Sequence, residues 1–157
     1  MRFQLRPALE ADRAFCESLH RSNMASYRSA RGIAWDPDRF LASWAQFENL
    51  IISVDDQRAG LLRLLVVDEA LEIRDLQLMP QHRGHGIGSW AVAEVKAMAA
   101  SRGIGELRLR VYAENPAQRL YTRLGFKVDA TDGSIVHMSH ALSPGNSSRP
   151  KPLRGSA

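Results

Sequence analysis

The chain has 157 residues, of which 45% are hydrophobic and 24% charged. That describes one globular domain with enough apolar residues for a core, and it excludes disordered and fibrous classes. No run approaches the roughly 18 apolar residues of a membrane helix, and the opening MRFQLRPALE lacks the apolar centre of a signal peptide. The expectation is a cytoplasmic protein with no membrane partner. The net charge is +4, but Arg149, Lys151 and Arg154 carry most of it. Without those three, 18 basic residues face 17 acidic ones, so the body is nearly neutral and a nucleic-acid partner is not expected. Residues 143–157 are rich in Pro, Gly and Ser and should form a disordered basic tail after a single domain over 1–142.

In chain order, Phe3–Arg6 alternates and stops at Pro7, as an edge strand does. Glu10 to Ser22 carries Ala11, Ala14, Phe15 and Leu19 at helical spacing. Cys16 belongs to this apolar pattern and reads as a buried, inert thiol; as a lone cysteine it excludes an internal disulfide. Arg28 to Trp35, with Gly32, reads as loop, Met24 and Tyr27 standing near a helix end. Asp36-Pro37 is an N-cap followed by proline at the first helical position, before Phe40, Leu41, Trp44 and Phe47. Strands follow over Leu50–Val54, Leu61–Val67 and Leu71–Met79, with turns at Asp55-Asp56-Gln57 and Asp68-Glu69-Ala70. In the last strand the apolar residues shift from odd positions (Leu71, Ile73) to even ones (Leu76, Leu78). That predicts a bulge near Arg74-Asp75 and a gap that could admit a ligand. A helix with Ile87, Ala91, Val95 and Met98 on one face ends at Arg102-Gly103, and Glu106–Tyr112 is a half-buried strand. Asn115-Pro116 opens a helix with Ala117, Leu120, Tyr121 and Leu124, closed by Gly125. Phe126–Val128 and Ile135–Leu142 are the last strands, joined through Thr131-Asp132-Gly133. The order β-α-α-β-β-β-α-β-α-β-β is an α+β arrangement.

Between the fourth strand and its helix lies Gln81-His82-Arg83-Gly84-His85-Gly86-Ile87-Gly88-Ser89. Glycines that let backbone N–H groups converge at a helix N-terminus, beside a permanent cation, suit a phosphate; a packing turn is the alternative reading. The spacing excludes two nucleotide motifs. Counted from Gly84, Ser89 occupies the third glycine of G-x-G-x-x-G, and no Lys lies between Gln81 and Ala91 to complete a P-loop. His82 and His85 lack further ligands and His137 and His140 point to opposite faces of a strand, so no metal is expected.

The segment Leu76-Gln77-Leu78-Met79-Pro80-Gln81-His82-Arg83-Gly84-His85-Gly86-Ile87-Gly88 resembles the pyrophosphate loop of the GNAT superfamily of acyl-CoA-dependent N-acyltransferases. Asn115-Pro116-Ala117-Gln118-Arg119-Leu120-Tyr121-Thr122-Arg123-Leu124-Gly125-Phe126 resembles that family's second cofactor segment. Together the likeness covers residues 3 to 142. It implies a mixed, mostly antiparallel sheet of six to seven strands, with a bulged, splayed central strand and about four helices. It implies acetyl-CoA as co-substrate, held by backbone groups of Leu78 and Met79, by the turn Arg83, Gly84, His85, Gly86, Ile87, Gly88 and Ser89, and by Asn115 and Ala117. The acetyl group would pass directly to a primary amine of a small molecule or peptide, in a ternary complex compatible with a homodimer. By its place in the motif, Tyr121 would protonate the departing thiolate, though its periodicity also fits plain core. Glu72 and Asp75 lie on or beside the bulged strand and are candidate proton acceptors, with salt bridges to Arg74 or Arg63 as the alternative and Glu72 taken as the tentative base. His20, Met24, Tyr27, Trp35 and Trp44 fall where the family builds its acceptor pocket; Tyr27 and Trp35, in or beside a loop, have the better claim. A CoA-binding sensor of the same fold without turnover is the competing reading.

Overall fold

A computed structural model describes residues 1–142; the tail expected over 143–157 lies outside the described residues. The elements are β1 (Phe3–Pro7), α1 (Arg13–Asn23), α2 (Ala25–Ala30), α3 (Pro37–Gln46), β2 (Glu48–Val54), β3 (Gln57–Val67), β4 (Ala70–Leu78), α4 (Ile87–Ser101), β5 (Glu106–Tyr112), α5 (Ala117–Arg123), β6 (Lys127–Asp132) and β7 (Ile135–Ala141). Single 3-10 turns occupy Glu10–Asp12 and Pro80–His82. Seven strands and five helices make a mixed α+β fold whose β1/β2, β2/β3, β5/β7 and β6/β7 pairings are all antiparallel. Among the described residues no helix is long and apolar enough to cross a membrane.

The helix beyond the expected four is α2, in the stretch whose end reads as loop in the sequence. Gly32 at φ +65° follows it, Gly32 N donates to Ser29 O at 3.2 Å and Ile33 N to Arg28 O at 2.9 Å. These are the paired bonds of a Schellman stop. The glycine that suggested a loop is the terminator of a short helix. The same pair of bonds ends α4 at Gly103 and α5 at Gly125.

The described chain divides into two compact units: Met1–Leu65 with Glu72–Val92, and Val66–Leu71 with the residues from Ala93 onward. In the first, β1 pairs β2 from Phe3↔Val54 to Pro7↔Leu50. The β2–β3 hairpin turns on Asp55 and Asp56, both left-handed at φ +49° and +68°, as a two-residue turn of matching twist requires. Arg2 accounts for both aspartates, its backbone N donating to Asp55 Oδ1 and its guanidinium to Asp56 Oδ1, each at 2.8 Å. The β2/β3 ladder slips between Ile52 and Ser53, leaving Ala59 as the extra residue of a bulge. In β4 Ala70, Leu71, Ile73 and Asp75 are buried, so burial at odd positions runs on to Asp75, where a change of face was expected. Asp75, a buried carboxylate, stands there in the place of an apolar side chain, which by itself breaks the apolar alternation in the sequence. Phe40 of α3 packs with Cys16, Leu19, Ile51 and Leu61, with Phe15, Trp35 and Trp44 around them. Burial pushes the Cys16 thiol up to about 12, as expected for an inert cysteine.

In the second unit β7 runs between β5 and β6, paired from Glu106↔Ala141 to Tyr112↔Ile135. Leu107, Leu109 and Val111 are buried, as the alternation in the sequence predicts. The fully exposed β6 extends to Asp132, so its turn is Gly133-Ser134, later than expected.

Candidate active site

After β4 the chain makes the Pro80–His82 turn and then passes Gly84 (φ +78°) and Gly86 (φ +81°) before α4 begins at Ile87. A Cβ on either glycine would meet nothing within 4 Å, so backbone handedness, not space, demands glycine at both. Trp90 N donates to Gly86 O at 3.0 Å, closing the first turn of α4. Ile87 is buried and anchors the helix, Gly88 and Ser89 are half-buried, and Arg83, Gly84, His85 and Gly86 are exposed. The turn therefore offers solvent a helix N-terminus flanked by a guanidinium, an arrangement that suits an anion. Among the described residues no His, Cys, Asp or Glu group is arranged to hold a metal.

The backbone groups expected to hold a pantetheine arm already have partners. Leu78 O accepts from Asn23 Nδ2 at 3.0 Å, and Met79 N donates to Ala59 O at 2.8 Å, on the bulge of β3. Met79 O accepts from His82 N at 2.9 Å. Leu78 O and Met79 O each keep a second lone pair for a ligand.

A polar chain leads from this turn into the unit. Arg83 Nη2 donates to Asn23 Oδ1 at 2.9 Å, Asn23 Nδ2 to Gln77 Oε1 at 3.0 Å, and Gln77 Nε2 to Asp75 Oδ1 at 2.8 Å. The other carboxylate oxygen, Asp75 Oδ2, lies 2.6 Å from His20 Nδ1 and 3.5 Å from Arg63 Nε. Burial alone would raise the Asp75 carboxyl, but the His20 contact, then Arg63 and Gln77, outweigh it and hold it below its ordinary value. Arg63 is buried too, its guanidinium 4.6 Å from the Phe40 ring centre and 4.9 Å from that of Phe47. Glu72, the tentative base, is half-buried and paired with Arg74 at 3.1 Å. Arg63 and Arg74 are the salt-bridge partners weighed for Asp75 and Glu72 in the sequence, whereas Asn23 carries no motif and is given no role.

Trp35 has Arg28 on one side at 4.8 Å and Arg21 at 5.5 Å. It lines an open hollow of about 650 Å³ together with Glu17, Ser18, Arg21, Arg28 and Ser29. Tyr27 lies on α2 and is not among the lining residues.

In the second unit, Asn115 Oδ1 accepts from Ala117 N at 2.9 Å and so secures the start of α5, leaving Nδ2 as the side chain's donor. Tyr121 is buried, with its ring 5.7 Å from Phe126 in an edge contact, and Phe126 lies 5.4 Å from His140. The phenol thus sits in packed surroundings, as its periodicity predicts.

A profile of the acetyltransferase (GNAT) family matches residues 16–126. Streptothricin acetyltransferase of Streptomyces lavendulae is 36% identical over 69 residues, which is 43% of this chain and only 36% of that protein. Among solved structures, the PaiA N-acetyltransferase of Thermoplasma acidophilum in complex with coenzyme A superposes with a TM-score of 0.72, at 20% identity over 90% of this chain and 99% of that one. An acetyltransferase of Thermus thermophilus gives 0.73, at 20% identity over 90% and 98%. These likenesses show a common fold. With the family profile spanning both motif segments, the chain belongs to the acetyltransferase (GNAT) family.

Proposed function

We propose that the protein transfers the acetyl group of acetyl-CoA to a primary amine, by direct attack within a ternary complex. The observation that carries this reading is the turn Arg83–Gly86, left-handed at Gly84 and Gly86 and leading into α4, within the stretch that matches the family. Its N–H groups and Arg83 would receive the pyrophosphate of CoA. Leu78, Met79, His85, Ile87, Gly88, Ser89, Asn115 and Ala117 would complete the cofactor contacts, Asn115 through Nδ2. Tyr121 is the proposed donor to the leaving thiolate. The acceptor would be the amine of a small molecule or peptide, with Trp35 and Tyr27 near its site; the partial relative named for streptothricin favours a small molecule.

The test is a calorimetric titration with CoA alongside an amine screen that reads free thiol. Gly86→Asp should abolish CoA binding, because it sets a negative charge where the diphosphate would lie. A new side chain there meets nothing within 4 Å but is strained at φ +81°, so circular dichroism must show the variant folded, and Gly86→Ala, which carries the same strain without the charge, should bind CoA more tightly than Gly86→Asp. Unchanged affinity in the folded variant refutes the binding site. CoA binding by the native chain with no thiol release from any amine points instead to a sensor.

A further inference from the structure

We propose that His20 is the proton acceptor for the incoming ammonium group, held in place by Asp75 as its positioning residue. The proposal rests on the acetyl-transfer reading above and supplies the base that Glu72, engaged by Arg74, supplies poorly. His20 and Asn23 stand three residues apart on α1, on one face of the helix. Both reach β4: His20 Nδ1 to Asp75 Oδ2 at 2.6 Å, and Asn23 to Gln77 and Leu78 at 3.0 Å. The same face that clasps the turn before α4 thereby also fixes an imidazole.

Asp75 is placed as an orienting group. Its side chain is only 4% exposed; Oδ1 accepts from Gln77 Nε2, and Oδ2 stands 2.6 Å from His20 Nδ1. A plain ion pair with Arg63 would account for a buried carboxylate, but Arg63 Nε stands off at 3.5 Å, and the short contact goes to the histidine. His20 Nδ1 is buried while the side chain keeps 25% exposure, so Nε2 is the nitrogen open to an acceptor. The imidazole is steadied by Trp35 and Phe40, with ring centres at 5.9 and 6.0 Å. Trp35 also lines the open hollow. A histidine whose Nδ1 stands against a carboxylate leaves Nε2 as the nitrogen that can take a proton, the arrangement of a general base. The charged groups around it are Asp75 of β4, Arg63 of β3, and Arg21 of α1 and Arg28 of α2 across Trp35. From α3 the facing residue is Phe40, and Cys16, one turn earlier on α1, stays a neutral thiol.

In the step itself, Nε2 takes one proton from the ammonium, leaving a neutral amine. Its nitrogen forms the C–N bond to the acetyl carbon, and the C–S bond breaks with its electron pair going to CoA. The nitrogen's second proton ends on the thiolate. The products are the amide, CoA thiol and protonated His20.

The experiment follows His20 in the full chain by imidazole nitrogen NMR, and in parallel the pH dependence of kcat/KM with the best amine found. The expected result has Nδ1 carrying the proton of neutral His20, and Asp75→Asn shifting it toward the Nε2–H form. The rate should rise with pH through the same titration that NMR reports for His20. His20→Gln should remove that limb and lower kcat/KM by about 10²- to 10³-fold with CoA affinity unchanged. A wild-type Nε2–H tautomer, a rate profile unrelated to the His20 titration, or full turnover in His20→Gln each overturns the assignment. If the native chain binds CoA but acetylates no amine, the transferase reading falls first and takes the base with it. The tautomer result still tells that failure apart from an absent dyad.

Discussion

Replacing Gly60 by alanine tests the approach of β3 to β4 that sets up the cofactor turn. A Cβ at this position would stand 2.3 Å from Gln77 O and 2.8 Å from Leu78 Cδ2. The leucine methyl can rotate away, but the carbonyl belongs to the backbone of β4 and must move by about 1 Å to reach ordinary contact. Overpacking of a well-filled core costs about 1–3 kcal/mol, and a backbone clash belongs at the upper end. At roughly 3 °C per kcal/mol for a domain of this size, Gly60→Ala should lower Tm by about 9 °C. The displacement should also be felt in ligand binding. Gln77 joins Asp75 to Asn23, and Met79 N, two residues on, bonds Ala59 O beside the glycine. CoA affinity by calorimetry should therefore drop along with stability. Gly105→Ala serves as the control, since its Cβ would meet nothing within 4 Å and its φ lies outside the left-handed range, and it should melt close to the native protein. If Gly60→Ala melts within about 2 °C of wild type and binds CoA normally, the close approach is not a property of the protein in solution.

Two further outcomes are expected. Tyr121→Phe keeps the edge contact with Phe126 while removing the phenol; at saturating acetyl-CoA, turnover should fall by about 10²- to 10⁴-fold, and a near-normal rate would return Tyr121 to the core. Asp12 is buried and accepts from Arg6, from Leu9 N and from Arg58, with Arg6 the main cause of a carboxyl held far below its ordinary range. A depressed carboxyl stabilises the fold above its unfolded pKa of about 4 and loses that contribution as pH falls through the folded value. Asp12→Asn should accordingly cost about 2 kcal/mol in neutral denaturant melts and flatten the loss of stability below pH 4 or so, whereas an unaltered acid profile would show that the pair with Arg6 contributes nothing.

Much of the architecture is legible in the sequence because it is written in turn and cap chemistry. Asp36-Pro37 predicts the start of α3 to the residue, and Asp36 Oδ1 does accept from Asp38 N and Arg39 N. Gly103 and Gly125 mark helix ends where the structure has them. The misses come from ambiguous signals. Gly32 closes a helix of only six residues, too short for a periodic stripe to show beside it. Strand β6 is exposed along its whole length, so no alternation marks its extent, and only its pairing with β7 defines it.

The candidate site divides along a similar line. The glycine turn is legible because its requirement is conformational: two left-handed residues before a helix admit few residue types, and the sequence displays them. The polar chain from Arg83 to Asp75 is illegible for the opposite reason. Pattern reading equates burial with apolarity, so a buried aspartate in β4 reads as a strand changing faces. What makes such residues tolerable is a partner from elsewhere in the chain: His20 lies 55 positions before Asp75, and Asn23 lies 60 before Arg83. No local window contains both members of either pair. A break in apolar alternation near a ligand turn therefore has two physical readings, a bulge or a buried charge with a distant partner. The second predicts polar residues at helical spacing on the element that packs against the strand. In this chain His20 and Asn23, three apart on α1, are that signal.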